Sequence, residues 1–280
     1  MNYRHGFHAG NHADVLKHVV LLAILEALER KDSPFFVLDT HAGRGRYLLQ
    51  GEQAEKTSEA QGGIFKLFVL HGLPALLQRY LKRIQADNPV GALITYPGSP
   101  LITAQAMRAD DRLVACELQP EEAHVLTTLF QGDRRVTVRQ GDGYAAVKSL
   151  LPPKERRGLV LIDPPYEIQD DEFTVILSAL KEGLARWPTG IYALWYPIKQ
   201  RRTLNAFFRK AANLPCKSAL VVELLIHPDD TPLRLNGSGL LILNPPWQLD
   251  TELAPILPVL ARLLGERHPS WRLEWLKQEA

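Results

Sequence analysis

Cysteine is scarce: Cys116 and Cys216 are the only two in 280 residues. Two thiols exclude a disulfide framework and a four-cysteine zinc site, and fit a reducing compartment. Long apolar runs are missing too. The longest near the N-terminus, Val19 to Leu25, is seven residues, far short of the roughly 20 that span a bilayer. Six histidines, arginines and lysines precede it, without the small-residue cleavage pattern of a signal peptide,. Nor is there an excess of one charge: 33 Lys and Arg stand against 31 Asp and Glu, a formal net charge of +2. A balance so near neutral does not announce a polyanion partner, so any nucleic-acid surface must be a local patch. Internal repeats and low-complexity tracts are absent. These absences lead us to expect a cytoplasmic protein with no membrane association.

What is present is an ordinary globular composition, 46% hydrophobic, enough to bury one large core or one domain with an insertion. NHADVLKHVVLLAILEALERKDSP, from Asn11, reads as a helix capped by Asn11 and stopped by Pro34,. FFVLDTHAGRGRY then changes period to a short apolar run ending in a glycine turn,. Similar punctuation recurs at RLVACELQP, RVTVRQGDGY, GLVLIDPPY and TGIYALWYP, with helix-like stretches between. Nearly continuous apolar strands alternating with helices predict an α/β fold, a mostly parallel sheet covered on both faces. SALVVELLIHP and GSGLLILNPP, with only a polar link between them, predict an antiparallel C-terminal hairpin,. Residues 49–94 break the alternation with two helix-like segments and no strand. We therefore expect a main domain of 1–48 and 95–280 carrying an inserted helical subdomain of 49–94.

Polar residues close these strands in order: DTHAGRG from Asp39, with Gly43 and Gly45, then Glu117, then Asp142-Gly143, then DPPY from Asp163 to Tyr166. A glycine loop after the first strand and an acid after the second suit an adenosine, the loop approaching closely and the carboxylate taking ribose hydroxyls. An acid after the third strand can accept from the adenine amine. Leu48 stands where a dinucleotide fingerprint would require its third glycine, so that ligand class is not indicated. Each piece alone also reads as an ordinary turn or loop acid; it is their order that points to a site.

Together, YRHGFHAGNHADVLKH, VLDTHAGRGRY, YPGSP, LIDPPYE, GIYALWYP and SGLLILNPPW resemble the RlmJ family of bacterial 23S ribosomal RNA adenine-N6 methyltransferases, over essentially the whole chain. The resemblance implies a Rossmann-like class I methyltransferase with a seven-stranded sheet, and S-adenosyl-L-methionine as cofactor. It carries cofactor contacts to His18, His41, Ser99, Glu117, Asp142, Gly143 and Asp163, to which the glycine loop adds Gly43. His41 stands where methyltransferases in general carry Phe, which the family's pattern allows. Ser99-Pro100 also reads as a helix cap and first turn, with free N–H groups that could meet the cofactor's carboxylate.

The DPPY turn supports the resemblance on chemical grounds. An exocyclic adenine amine is a weak nucleophile because its lone pair is delocalised into the ring. Two acceptors on its N–H hydrogens, the Asp163 carboxylate and the Pro164 carbonyl, draw that pair out of conjugation. Pro164 and Pro165 lack N–H groups and fix φ near −65°, so the acceptors point in a set direction. Tyr166 would stack on the base, for about 1–3 kcal/mol, and the base must leave its own stack to enter. Tyr3, Arg4, His5 and Lys17 are expected to form a lip over cofactor and RNA. Arg44 and Arg46, Arg156 and Arg157, and Lys199 to Arg202 are candidate phosphate contacts. The spacing of His5, His8, His12 and His18 does not favour a metal, and none is expected. A monomer is expected, with a DNA adenine methyltransferase, a glutamine methyltransferase and a catalytically silent RNA-binding protein as the rival readings. A second motif, LILNPPW at Leu241 to Trp247, closes a strand of reversed direction and is expected to be a structural turn.

Overall fold

The computed structural model describes residues 8–49, 59–166, 169–232 and 235–278. Tyr3, Arg4 and His5 lie outside these ranges. Asn11 opens helix α1 (His12–Glu29) by accepting from the N–H groups of Ala13 and Asp14, both at 2.9 Å. Two of the donors that a helix start leaves unpaired are thereby satisfied. Strand β1 (Phe35–Asp39) follows, buried along its whole length.

The segment 49–94 is flanked by a two-stranded antiparallel ribbon of β2 (Arg46–Leu48) and β3 (Thr95–Pro97). Its described part holds a short 3-10 turn and helices α2 (Ile64–Phe68) and α3 (Ala75–Ala86). Leu77, Tyr80 and Ile84 of α3 lie three or four residues apart and share one core with α1,.

The remaining elements alternate: α4 (Ser99–Ala106), β4 (Arg112–Glu117), α5 (Pro120–Leu129), β5 (Val136–Gln140), α6 (Gly143–Leu150), β6 (Arg157–Ile162), α7 (Gln169–Arg186) and β7 (Ile191–Ile198). After α8 (Asn205–Ala211) come β8 (Ala219–Leu225), β9 (Gly237–Leu243), α9 (Leu249–Leu253), α10 (Leu257–Leu264) and β10 (Ser270–Lys277). The main sheet runs β10-β8-β9-β7-β6-β1-β4-β5. Strands β7, β6, β1, β4 and β5 are parallel, while β9 is antiparallel to both β7 and β8.

Both faces are covered. Phe35 and Val37 share one core with residues of α1, α4 and α10, whereas Phe36 and Leu38 share the other with residues of α6, α7 and α8, which is the two-residue alternation of a strand buried on each side. The sheet has eight strands, one beyond the seven the resemblance implied. The additional strand β10 pairs antiparallel with β8 at the edge. Its residues are exposed or half-buried, so it lacks the continuous apolar run of β1, β6, β7, β8 and β9.

The NPPW turn sits where strand direction places it. Leu243 pairs with Tyr192 near the start of β7, so Asn244 lies at the amino-terminal edge of the parallel strands. Asn244 adopts a left-handed φ of 51°. Its side chain accepts from Lys217 N at 3.0 Å and donates to the carbonyls of Pro188 and Gly190, each at 2.9 Å. The turn does not follow the last strand, because β10 comes later in the chain.

Candidate active site

Register brings the carboxyl ends of the parallel strands to one edge: Asp39 pairs with Ala115 and with Leu161, and Glu117 with Gln140. The chain proceeds from β1 to β4 and β5 on one side, then returns to β6 on the other. The crevice beside β1 is therefore the topological switch point, where open α/β sheets bind ligands.

Glycines let the loops close on this point. A Cβ on Gly143 would stand 2.0 Å from the Thr40 carbonyl oxygen. Gly43 has φ +61°, and a Cβ there would meet Tyr47 Oη at 2.1 Å, so neither position admits a side chain. The loops enclose a cavity of about 320 Å³. It is lined by Gly43, Glu117 and Gln119, by Asp142, Gly143 and Tyr144, by His18, His41 and Ser99, and by Lys17, Asp163, Pro164 and Pro165. The predicted cofactor residues thus converge on one cavity with the first three residues of DPPY.

Glu117 ends β4 and accepts from Gly43 N at 2.9 Å and Gln119 N at 2.7 Å. Burial raises its carboxyl pKa despite those donors,. Asp142 caps α6 by accepting from Tyr144 N at 2.8 Å. Thr40 Oγ1 donates to the Leu161 carbonyl at 2.9 Å and lies 2.8 Å from His41 Nδ1. With its only hydrogen spent, that hydroxyl must accept from Nδ1–H, which leaves Nε2 of His41 as an acceptor. Burial lowers the His41 pKa to about 4, outweighing the attraction of Asp163 and Asp142, so the ring is neutral near pH 7. His18 stacks on Tyr96, its Nδ1 2.8 Å from the Tyr96 hydroxyl, which in turn meets that of Tyr80.

Ser99 is not the cap that the sequence suggested. Gly98 holds that position, and Ser99 Oγ instead donates to Asp39 Oδ2 at 2.6 Å. Burial raises the Asp39 pKa to about 6; the Ser99 bond opposes that shift and Asp163 adds to it. Asp163 is held from the other side: Lys17 Nζ lies 2.5 Å from its Oδ2 and 2.8 Å from Asp14 Oδ1. Tyr166, predicted to stack on the base, is not among the residues that line the cavity. Its hydroxyl donates to the Trp195 carbonyl at 2.7 Å, and its ring meets Phe173 and Trp195 edge-on.

Sequence reasoning missed Asp14, Tyr144 and Glu172. Asp14 was detectable as an acid three residues before Lys17 on a helix. Tyr144 donates to Glu172 at 2.5 Å, a pairing across 28 residues with no local signal. The basic clusters divide. Arg157, a candidate phosphate contact, begins β6 at the edge opposite the cavity, and its guanidinium donates to carbonyls of Leu28 and Lys31. Arg44 is bound bidentately to Glu122, Arg46 pairs with Asp87, and Arg201 pairs with Glu223. Lys199 and Arg202 are exposed just beyond the carboxyl end of β7.

His8 Nδ1 lies 2.9 Å from Glu59 Oε1, and burial lowers the His12 pKa to about 4. Among the described residues no three His, Cys, Asp or Glu side chains are grouped to hold a metal ion. Among them too, no helix is long and apolar enough to cross a membrane.

Strand order, switch-point cavity and acidic strand ends define a Rossmann-like methyltransferase fold. The family described as "Ribosomal RNA large subunit methyltransferase D, RlmJ" matches residues 32–277, and the chain belongs to it. It is 45% identical over 281 residues to "Ribosomal RNA large subunit methyltransferase J" of Haemophilus influenzae, covering 100% of each chain. With the Escherichia coli K12 protein of the same name it shares 44% over 260 residues, 93% of this chain and 92% of that one. A crystal structure of a Legionella pneumophila protein superposes with TM-score 0.88 at 35% identity, covering 95% of this chain and 98% of the other.

Proposed function

We propose that the protein methylates the N6 amine of an adenine in 23S ribosomal RNA, using S-adenosyl-L-methionine, in the cytoplasm and as a monomer, with residues 49–94 as an inserted helical subdomain. The RNA substrate follows from the names of its relatives. The amine follows from the DPPY turn at the switch point. The observation that carries the reading is the Asp163 carboxylate, fixed by Lys17 at the end of β6 in the same cavity as Glu117.

The cavity fits the cofactor. Gly43 and Gly143 leave backbone where any Cβ would collide, so a ligand can approach the loops closely. Glu117 would take the ribose hydroxyls, Asp142 and Gly143 the adenine, and His18, His41 and Ser99 the remainder. When bound, the cofactor supplies an electrophilic methyl group on a sulfonium.

The chain's own residues then do the positioning, which is most of such catalysis. A carboxylate has about four acceptor sites, so Asp163 can hold Lys17 and still accept an N–H of the target amine. The Pro164 carbonyl accepts the other hydrogen, and Asp163 takes up the proton as positive charge develops on nitrogen. Tyr166, anchored through its hydroxyl to Trp195, offers its ring to the extruded base. Tyr3 and His5 are assigned to RNA contact, and Lys17, buried between Asp14 and Asp163, acts on the RNA base by fixing the Asp163 carboxylate.

Labelled methyl transfer to unmodified 23S RNA, DNA and protein, with Asp163→Ala as control, tests the reading. Label in RNA alone, lost in the variant, is expected. Label in DNA or protein instead, or in RNA with Asp163→Ala fully active, would overturn it.

A further inference from the structure

Asn244 to Trp247 repeats the letters of the reactive turn at the opposite edge of the sheet, where the proposed chemistry does not reach. Asn244 explains its own part by tying the turn to Pro188, Gly190 and Lys217. Trp247 has no such explanation: it is 82% exposed, against 44% for Trp271. The two preceding prolines fix the backbone that carries it.

A cavity of about 250 Å³ adjoins this indole, lined also by Arg30 and Lys31 at the end of α1 and by Arg157 at the start of β6. The carboxyl end of a helix ordinarily repels anions. Here the Arg157 guanidinium covers the carbonyls of Leu28 and Lys31 and so blunts that repulsion. Arg30 is half exposed and shares one nitrogen with Glu252 at 3.0 Å, and Lys31 is exposed. A rigid aromatic face beside clustered cations is how proteins hold single-stranded nucleic acid, the base on the ring and the phosphate on the charges.

We propose that this cavity is an accessory RNA site, one unpaired base stacking on Trp247 while an adjoining phosphate meets Lys31 and Arg30. The assignment rests on RNA being the substrate. Strand β6 runs from this edge to Asp163, six residues or about 20 Å at the usual rise,. Only an RNA that continues well beyond the target adenine can fill both places, so the site anchors long substrates and leaves the chemical step alone.

The test uses the full chain with two substrates, a long 23S-derived transcript and a short hairpin holding only the target adenine. Trp247→Ala and Lys31→Glu are expected to raise KM for the transcript roughly tenfold with kcat unchanged, and to leave both constants unchanged on the hairpin. Trp247→Phe keeps a stacking face and should retain most of the affinity. Lys31→Glu should also lower the salt slope of transcript binding by about one. Transcript KM unchanged in both variants, or equal losses on hairpin and transcript, would overturn the proposal.

Fluorescence anisotropy of the labelled transcript reads the same site without catalysis. If wild-type protein transfers no methyl to RNA but Trp247→Ala still weakens binding, the activity assigned above fails and this site stands. An active wild type whose RNA affinity ignores both substitutions reverses that outcome, sparing the activity and refuting the site.

Discussion

Lys17 Nζ stands 2.5 Å from Asp163 Oδ2, joining helix α1 to the turn after β6 across 146 residues of chain. The ammonium also touches Asp14, and its side chain is only 5% exposed. Burial favours the neutral amine, but the two carboxylates outweigh it and push the Lys17 pKa well above its ordinary value. Lys17 is therefore a buried, permanent cation at the root of the site.

Replacing Lys17 by Met leaves Asp14 and Asp163 facing each other without their counter-ion. Loss of one partner of a buried pair costs about 3–5 kcal/mol, so urea unfolding should show a loss of that size. Methyl transfer should fall by at least about 100-fold as the Asp163 acceptor loses its orientation. The double variant Asp14→Asn, Lys17→Met should recover part of the stability and none of the activity.

Glycine positions divide by what surrounds them. Gly143→Ala drives a methyl group into the Thr40 carbonyl and should lower stability by several kcal/mol, or block folding, because backbone must move. Gly91, at φ +80° with nothing within 4 Å of a Cβ, should lose only about 1 kcal/mol on the same change. Thermal melts of the two variants make the comparison.

Acid should destabilise the protein through its imidazoles. His41 sits at about 4, below the 6.5 of an unperturbed histidine, so the unfolded chain takes up a proton first as pH falls. The stability this gives is present above 6.5 and lost between 6.5 and about 4; buried His12 acts in the same direction,. Asp39 is held at about 6 against an ordinary 3.8. It keeps a proton that the unfolded chain releases, so its contribution is present at low pH and lost as pH rises through 6. His41→Asn should therefore lessen the acid loss by about 3 kcal/mol and Asp39→Asn should steepen it, as read from urea unfolding between neutral pH and about 4.

Glu117→Ala removes the carboxylate assigned to the ribose and uncaps the N–H groups of Gly43 and Gln119. Hydrogen bonds to a charged group contribute about 1.5–3 kcal/mol, so calorimetric affinity for S-adenosylhomocysteine should fall by roughly ten- to a hundredfold.

Much of the site was legible because strand-end acids follow short strand-like runs bounded by turn residues, and a strand's direction can be inferred from its connections. That logic separated Asp163 from Asn244 despite their shared letters, and it located Glu117, Asp142 and Gly143. It failed where partners are distant in sequence or strands are amphipathic. The reach of Lys17 to Asp163 and of Ser99 to Asp39 depends on tertiary packing that no local pattern encodes. Strand β10 was missed because it gives no apolar run and, unlike the half-exposed β5, is not followed by a glycine turn that would mark its end. Arg157 was a candidate phosphate contact on its charge alone, whereas its place at the start of β6 puts it at the edge away from the candidate active site.

The most direct test is nucleoside analysis of unmodified 23S RNA after incubation with the protein and labelled S-adenosylmethionine. The account predicts label in N6-methyladenosine at a single adenine, absent with Asp163→Ala. Label in a methylated cytosine, guanine or ribose, or in N6-methyladenosine formed equally by Asp163→Ala, would contradict it.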